Sequence, residues 1–226
     1  MRLLKDLDWE QQCICKLEYF LNEIKYLEQK SNFDIYDQIR INTLLNILKS
    51  PMEYATLTLT KYVSKKQRAF SPFRKDYFND KDFRNHIKEK IGYVDDDIFT
   101  IYNNLFKNDL YKDFNDMQNY EKHSHINVHN QYVTENTGTI EYPGGIIIKD
   151  NVIVRKLGTD QKGLVYNNEE SDLSQNKGYS YEEELYFEYN NREVFSFLEE
   201  VYQMVYKFVT DIKEYIENRS DEHERY

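Results

Sequence analysis

Apolar side chains recur at intervals of three and four residues along most of the chain, a spacing typical of helices that bury one face. In the first such segment, about residues 9–29, this spacing brings Leu17 and Phe20 to the same side. The last segment carries a long apolar stripe that runs from Val194 to Tyr215. The pattern predicts helices at about residues 9–29, 33–49, 51–63, 81–91, 95–108, 109–130 and 191–218.

The break between the second and third of these segments is marked by SPME, residues 50–53. Ser50 is a favoured N-cap, Pro51 suits the first helical turn, and Glu53 can complete a capping box. These residues predict that a new helix begins at Pro51. The TLTLT that follows, residues 56–60, also alternates in the manner of a β-strand, so both structures stay open there.

The pattern changes after Thr134, where short runs of β-branched and aromatic residues replace the helical spacing. GGIIIKDNVIVRK predicts a hairpin near residues 144–156, because Asp150-Asn151 suits the tight turn between its two apolar runs. YSYEEELYFEY predicts a further strand near residues 179–190.

Length and composition fit one domain with a substantial core. The 226 residues are 40% hydrophobic and 15% aromatic, which is not a disordered composition. The expected fold is mainly α: a helical bundle over residues 1–226 with a small antiparallel β insert at about 138–190, before the C-terminal helix. No stretch approaches the roughly 20 apolar residues of a membrane span, and the low cysteine content indicates a reducing compartment. We therefore expect a cytoplasmic protein with no membrane partner.

The net charge of −10 gives the chain no overall attraction to nucleic acid. An RNA-directed role therefore needs a local basic patch. One candidate is KKQRAFSPFRK, which holds Lys65, Lys66 and Arg68 close together. The alternative is a solvated basic surface beside aromatic anchors.

Three of the five histidines are crowded into QNYEKHSHINVHNQ, residues 118–131. On a helix, His125 and His129 stand one turn apart on one face, and Lys122 joins them there. His123 points to another side, and Asn127 lies at the flank. Such a group suits acid/base chemistry on RNA, because a histidine moves protons near neutral pH and a cation steadies phosphate charge.

Two other interpretations of the histidine cluster stay open. A His pair at this spacing also occurs in helical zinc sites, but HSHINVH lacks the glutamate of HExxH, and Lys122 would repel a cation. We therefore expect neither a metal nor another cofactor. The cluster can equally be the polar end of a helix, where the helix dipole favours positive charge.

A helical bundle with a short polar signature on a late helix resembles the HEPN superfamily (higher eukaryotes and prokaryotes nucleotide-binding). Many members carry an Arg, usually followed by a polar residue, and a His after four to six intervening residues. Here Lys122 stands in the Arg position and His129 follows after six residues, while Arg84-Asn85 is similar to the start of the same motif. The resemblance implies a metal-independent ribonuclease, or a degenerate RNA-binding relative, of a bacterial toxin–antitoxin or phage-defence system that acts as a homodimer.

The resemblance also implies roles for individual residues. Lys122 would steady phosphate charge, His129 would be the acid/base, and His125 would orient it. Further RNA contacts would come from His123, Asn127, Arg84, Asn85, Lys65, Lys66 and Arg68. An antitoxin or another protein would be the partner. The alternative, from a different class, is a non-enzymatic helical interaction or scaffold protein, which the net charge of −10 favours.

Overall fold

A computed structural model describes residues 3, 6–30, 32–64, 66–142, 146–149, 151–157, 165–166, 169–170 and 173–223. Within them the chain forms six helices: α1 (Trp9–Glu28), α2 (Ile35–Ser64), α3 (Asp80–Ile91), α4 (Asp96–Phe106), α5 (Asp109–His123) and α6 (Val194–His223). The strands are β1 (His129–Thr137), β2 (Ile140–Tyr142), β3 (Ile146–Ile148), β4 (Val152–Lys156), β5 (Val165–Tyr166), β6 (Glu169–Glu170) and β7 (Tyr179–Phe187). The predicted fold class, mainly α with a small antiparallel insert before the last helix, is confirmed.

The centre of the molecule is built by α1, α2 and α6, with α2 packed against both of the other helices. The stripe predicted on α6 is buried, with Val201, Val205 and Ile212 fully inaccessible to solvent. Leu45 and Leu48 of α2 are equally buried in the same core. Burial of such side chains is the main favourable contribution to folding a bundle of this kind.

The prediction of two helices on either side of Ser50 is wrong, because α2 is one helix of 30 residues with Pro51 inside it. Ser50 does not act as an N-cap; its hydroxyl donates instead to the carbonyl of Asn46, one turn back, at 3.0 Å. The strand considered for residues 56–60 is also excluded by this helix. A proline removes one helical hydrogen bond, yet α2, which packs against α1, α5 and α6, continues across Pro51.

The main sheet has three antiparallel strands in the order β4-β1-β7. The strand predicted near residues 179–190 is confirmed as β7, but the predicted hairpin at 144–156 is wrong. β3 pairs with β2 and β4 pairs with β1, so Asp150-Asn151 does not join two paired strands; Asp150 itself lies outside the described residues.

Both ladders share one register, since Asn136 lies opposite Val152 and Ile140 lies opposite Ile148. The two ladders belong to separate sheets, although β2 follows β1 and β4 follows β3 along the chain. The insert begins earlier than the predicted residue 138, at His129. Alternating apolar residues predict that a segment is extended, but they do not say which strand it will meet.

Candidate functional site

The helix predicted over residues 109–130 ends at His123. Ser124 leaves the helical conformation, and its N–H donates to the carbonyl of Tyr120 at 2.8 Å. The chain then turns into β1, so His129 lies on a strand and His125 lies in the connection before it. Lys122, His125 and His129 therefore do not share one helical face, and that part of the sequence prediction is wrong.

The three histidines have different surroundings. His123 and His125 are exposed, and the ring of His125 lies 6.1 Å from that of Tyr120. His129 is only 8% exposed, and its ring packs 4.9 Å from Phe187 at the junction of the sheet and the bundle. Neither ring nitrogen of His129 has a hydrogen-bond partner among the described residues. Burial lowers the pKa of His129 to about 4, so its ring is neutral at physiological pH.

Asn127, predicted to contact RNA, is buried and holds the connection against α2. Its backbone N–H and its side-chain amide both donate to Oδ1 of Asn42, at 3.0 and 2.8 Å. Asn42 returns a hydrogen bond to the carbonyl of Asn127 at 3.1 Å. These bonds occupy both residues in fixing where the chain leaves α5.

The other predicted RNA-binding residues are dispersed over the surface. Arg84 is paired with Asp96 at 2.6 Å, and its guanidinium lies 4.1 Å above the ring of Phe99. Asn85 is exposed on α3, and Lys66 is exposed with its amine donating to a backbone carbonyl. Lys65 lies outside the described residues. Arg68 lines a groove.

A row of buried or half-buried polar contacts runs along one side of α2, and we call it the polar seam. Asn42 meets Asn127, and Asn46 meets Gln118 and Glu121 of α5. Further along, Thr56 shares a hydrogen bond of 3.0 Å with the hydroxyl of Tyr102 on α4. The seam residues contributed by α2 are Asn42, Asn46, Lys49 and Thr56.

Lys49 lies in the middle of the polar seam and is 8% exposed. Its amine donates to the hydroxyl oxygen of Tyr111 at 3.0 Å and to Oδ1 of Asn115 at 2.9 Å. The nitrogen also lies 4.9 Å from the centre of the Tyr111 ring and 5.7 Å from that of Phe114. Within the described chain, no carboxylate forms an ion pair with this amine.

Burial lowers the pKa of Lys49 to about 8. The carboxylate of Glu53 acts in the opposite direction, and the positive charge of Lys122 lowers the pKa further. Lys122 is thus close enough to the seam to influence it electrostatically, although it is itself exposed at the end of α5. Near neutral pH, Lys49 is mostly protonated but can lose its proton at modest cost.

A groove of about 910 Å³ opens beside Lys49, between α2, α5 and the connection that leads to α3. This volume is within the range of small-molecule and nucleotide sites. One wall carries Phe70, which is 70% exposed, and Arg68, which is also exposed. The lining residues are Lys49, Glu53, Tyr54, Thr56, Leu57, residues 67–73, Phe106, Tyr111, Asn115 and Asn119.

The connection that carries Arg68 and Phe70 is anchored on its far side by aromatic and charged contacts. The ring of Phe73 lies 4.3 Å from the buried ring of His86 on α3. Arg74 pairs with Asp80 at 2.8 Å and lies above the ring of Phe83. These contacts fix the connection against α3 and leave Phe70 directed to solvent beside the groove.

The sequence prediction missed Lys49, Tyr111 and Asn115. A usable signal was present in α2, where polar residues repeat at 42, 46, 49, 53 and 56. These steps of four and three residues match those of the apolar positions 41, 45, 48, 52 and 55, one place earlier. Because the polar stripe has the spacing of a buried helical face, it indicates that this side of α2 also packs against another part of the chain.

No protein-family model, curated protein or solved structure matches this chain. Among the described residues, no helix combines the length and the apolar character that crossing a membrane requires.

Proposed function

We propose that this protein binds single-stranded RNA in the groove beside Lys49, as a degenerate, non-cleaving relative of the HEPN ribonucleases that its sequence resembles. The observation that carries the proposal is the combination, in one groove, of the buried amine of Lys49 with the exposed guanidinium of Arg68 and the exposed ring of Phe70.

Each of these groups matches a part of a single strand. An aromatic ring stacks on an unpaired base, and cations along a groove follow the phosphates. Asn115 and Asn119 add amide groups that can donate to or accept from a base edge. Such a groove favours unstacked strands over a duplex, whose bases are not free to reach Phe70.

Local charge supports an anionic ligand despite the net charge of −10. Lys49 and Arg68 lie in the groove, and Lys122 is near enough to affect the pKa of Lys49. Glu53 is the carboxylate that opposes them there. The groove therefore has a local excess of positive charge on an acidic molecule, as RNA binding would require.

Non-cleaving binding is favoured over cleavage by the surroundings of His129. A general acid or base must reach the proton that it transfers and must titrate near the working pH. His129 is 8% exposed and has a pKa of about 4. We therefore expect RNA to stay intact during long incubation with the protein in the presence of a chelator. Cleavage that is abolished by His129→Ala would instead support the catalytic role implied by the resemblance.

Fluorescence anisotropy with a labelled single-stranded RNA tests the binding proposal. Phe70→Ala should weaken binding about 5- to 150-fold, the usual loss when a stacked base loses its aromatic partner. Arg68→Ala should weaken binding and lower the slope of log affinity against log salt by about one. A duplex of the same length should bind more weakly than the single strand.

Two exposed residues away from the groove provide matched controls. Tyr36→Ala removes an exposed aromatic side chain near the start of α2, and Lys25→Ala removes an exposed cation on α1. Both should leave affinity unchanged. Equal effects of Phe70→Ala and Tyr36→Ala would contradict the proposed site.

The charge of Lys49 adds a pH test. Affinity should fall as pH rises through about 8, because the amine loses its proton there. Lys49→Arg should keep binding and remove this pH dependence, since a guanidinium stays charged. A pH profile that is identical in wild type and Lys49→Arg would show that Lys49 does not contact the RNA phosphates.

The HEPN resemblance further leads us to propose a cytoplasmic homodimer that is controlled by an antitoxin or another protein partner in a defence or toxin–antitoxin system. Sedimentation of the purified chain tests the dimer. A strictly monomeric species at micromolar concentration would contradict it.

A further inference from the structure

The amine of Lys49 is held in a way that suits chemistry as well as binding. It is buried, yet it lies on a groove that is open to solvent. Its two hydrogen-bond partners, Tyr111 and Asn115, are neutral acceptors. A lysine that served only as a charge in the core would be expected to meet a carboxylate, because an unpaired buried charge is costly.

The number of partners also fits a neutral amine. An ammonium has three N–H donors, whereas a neutral amine has two donors and one lone pair. Tyr111 and Asn115 accept two hydrogen bonds from Nζ. On deprotonation both bonds can persist, and the lone pair takes the remaining position. The neutral amine therefore keeps both hydrogen bonds, and deprotonation of Lys49 costs little free energy in this site.

The surroundings of Lys49 lower the pKa of its amine on balance. Burial and the charge of Lys122 both favour loss of the proton, while Glu53 opposes it, and the resulting pKa is about 8. Burial raises the pKa of Tyr111, which therefore stays a phenol. A lysine in such a setting supplies far more neutral amine at neutral pH than an exposed lysine does.

The other residues that line the groove indicate which class of ligand the amine of Lys49 could react with. Arg68 presents a planar guanidinium that suits a phosphate or carboxylate. Phe70 and Tyr54 present aromatic surface for a flat or apolar ligand body. Glu53 is on the same wall, one helical turn after Lys49, and can relay a proton.

We propose that Lys49 forms an imine with a small aldehyde or ketone that carries a phosphate or carboxylate. The nitrogen lone pair adds to the carbonyl carbon and forms a C–N bond. Both N–H protons of the neutral amine end on the carbonyl oxygen, which leaves as water, and a C=N bond remains. A proton taken up by the imine nitrogen restores one N–H donor for Tyr111 or Asn115. No oxidant, reductant or metal takes part in this step.

Pyridoxal 5′-phosphate is a suitable probe, because it is a flat aromatic aldehyde with a phosphate. The whole chain is incubated with an equimolar amount at neutral pH, the imine is reduced with cyanoborohydride, and the modified peptides are mapped by mass spectrometry. We expect modification of Lys49 to exceed that of exposed Lys61 and Lys122 at least about tenfold, because more of its amine is neutral. Equal modification of these lysines, or none at Lys49, would overturn the proposal.

Variants separate this chemistry from folding and from RNA binding. Lys49→Arg and Lys49→Met should abolish the specific modification, whereas Lys61→Arg, on the exposed side of the same helix, should leave it intact. Mapping of the wild-type chain decides the proposal even if a Lys49 variant fails to fold. Lys49→Arg keeps the positive charge but supplies no amine, so it should lose imine formation; the modification is measured without RNA and does not depend on RNA binding. Persistent selective modification elsewhere in Lys49→Arg would place the reactive amine at another residue and contradict the assignment.

Discussion

The apolar stripe of α2, which includes Ile41, Leu45 and Leu48, lies in the core that α2 shares with α1 and α6. One position further along, the polar seam buries Lys49 towards α5 and Asn42 towards the connection that follows α5. The two stripes have the same spacing, and Asn42, Lys49 and Thr56 are buried like the apolar residues, but the stripes are stabilised in different ways. The first gains from removing apolar surface from water, whereas the second gains only where each polar group finds a partner.

The difference between apolar burial and paired polar burial indicates different roles for the two stripes. A bundle that needed only stability could fill both stripes with apolar side chains, because paired buried polar groups add little net free energy. The seam keeps polar residues where it borders the groove. Its central residue, Lys49, can lose its proton at modest cost. The apolar stripe therefore contributes to folding, the proposed function uses the polar seam, and the two statements can be tested separately.

The largest effect is expected from the apolar stripe. Leu45→Ala should lower the free energy of unfolding by about 2–5 kcal/mol, because it removes buried methyl groups and leaves a cavity. Urea unfolding at neutral pH measures this loss. Ile39→Ala, on the partly exposed side of the same helix, should change the free energy by about 0.5 kcal/mol or less. Equal losses in the two variants would contradict the position of the stripe.

Helix positions could be predicted because each helix carries its own periodicity. The stripe of α6 and the start of α4 after the N-cap Asp95 follow from local sequence. The end of α5 could not be predicted in this way. Residues 124–130 have no strong breaker, and the chain leaves the helix because Asn127 bonds to Asn42, which is 85 residues away.

The same limit applies to the sheet and to the candidate site. β4 is paired with β1, a strand that begins inside the segment predicted to be helical, so its partner could not be identified. The predicted helix also includes His129, because the contact that ends α5 is not visible in the local sequence. The groove depends on Lys49 and Asn115 meeting across two helices. The polar repeat of α2 indicates a packed face at Lys49, but it does not identify Asn115 as the partner.

The second prediction concerns His129, a buried polar group without the partners that the seam provides. Its pKa is lowered from 6.5 to about 4, so the unfolded chain binds more protons between these values. The stabilising contribution is complete above about pH 6.5 and is lost as pH falls towards 4. The full loss is about 3.5 kcal/mol, at about 1.4 kcal/mol for each pKa unit.

Urea unfolding of wild type and His129→Phe across this pH range isolates the effect of His129. Carboxylates and His86, whose pKa is also lowered by burial, contribute to both proteins and cancel in the difference. The difference in free energy of unfolding should shift in favour of His129→Phe as pH falls. A difference that stays constant from pH 7 to 4 would show that the ring is accessible to protons in the folded protein.

The smallest expected effect belongs to the polar seam, at its Asn42–Asn127 end. Asn42→Ala should lower the free energy of unfolding by about 1–3 kcal/mol, because it leaves the N–H and the carbonyl of Asn127 buried without these partners. Asn127→Ala removes the side-chain bonds but keeps its backbone groups. Since the two residues act on each other, the double variant should lose less than the sum of the single variants, by about 0.5 kcal/mol or more in urea unfolding. Strict additivity would mean that the seam is a row of independent contacts, and the reason to treat it as one functional unit would be lost.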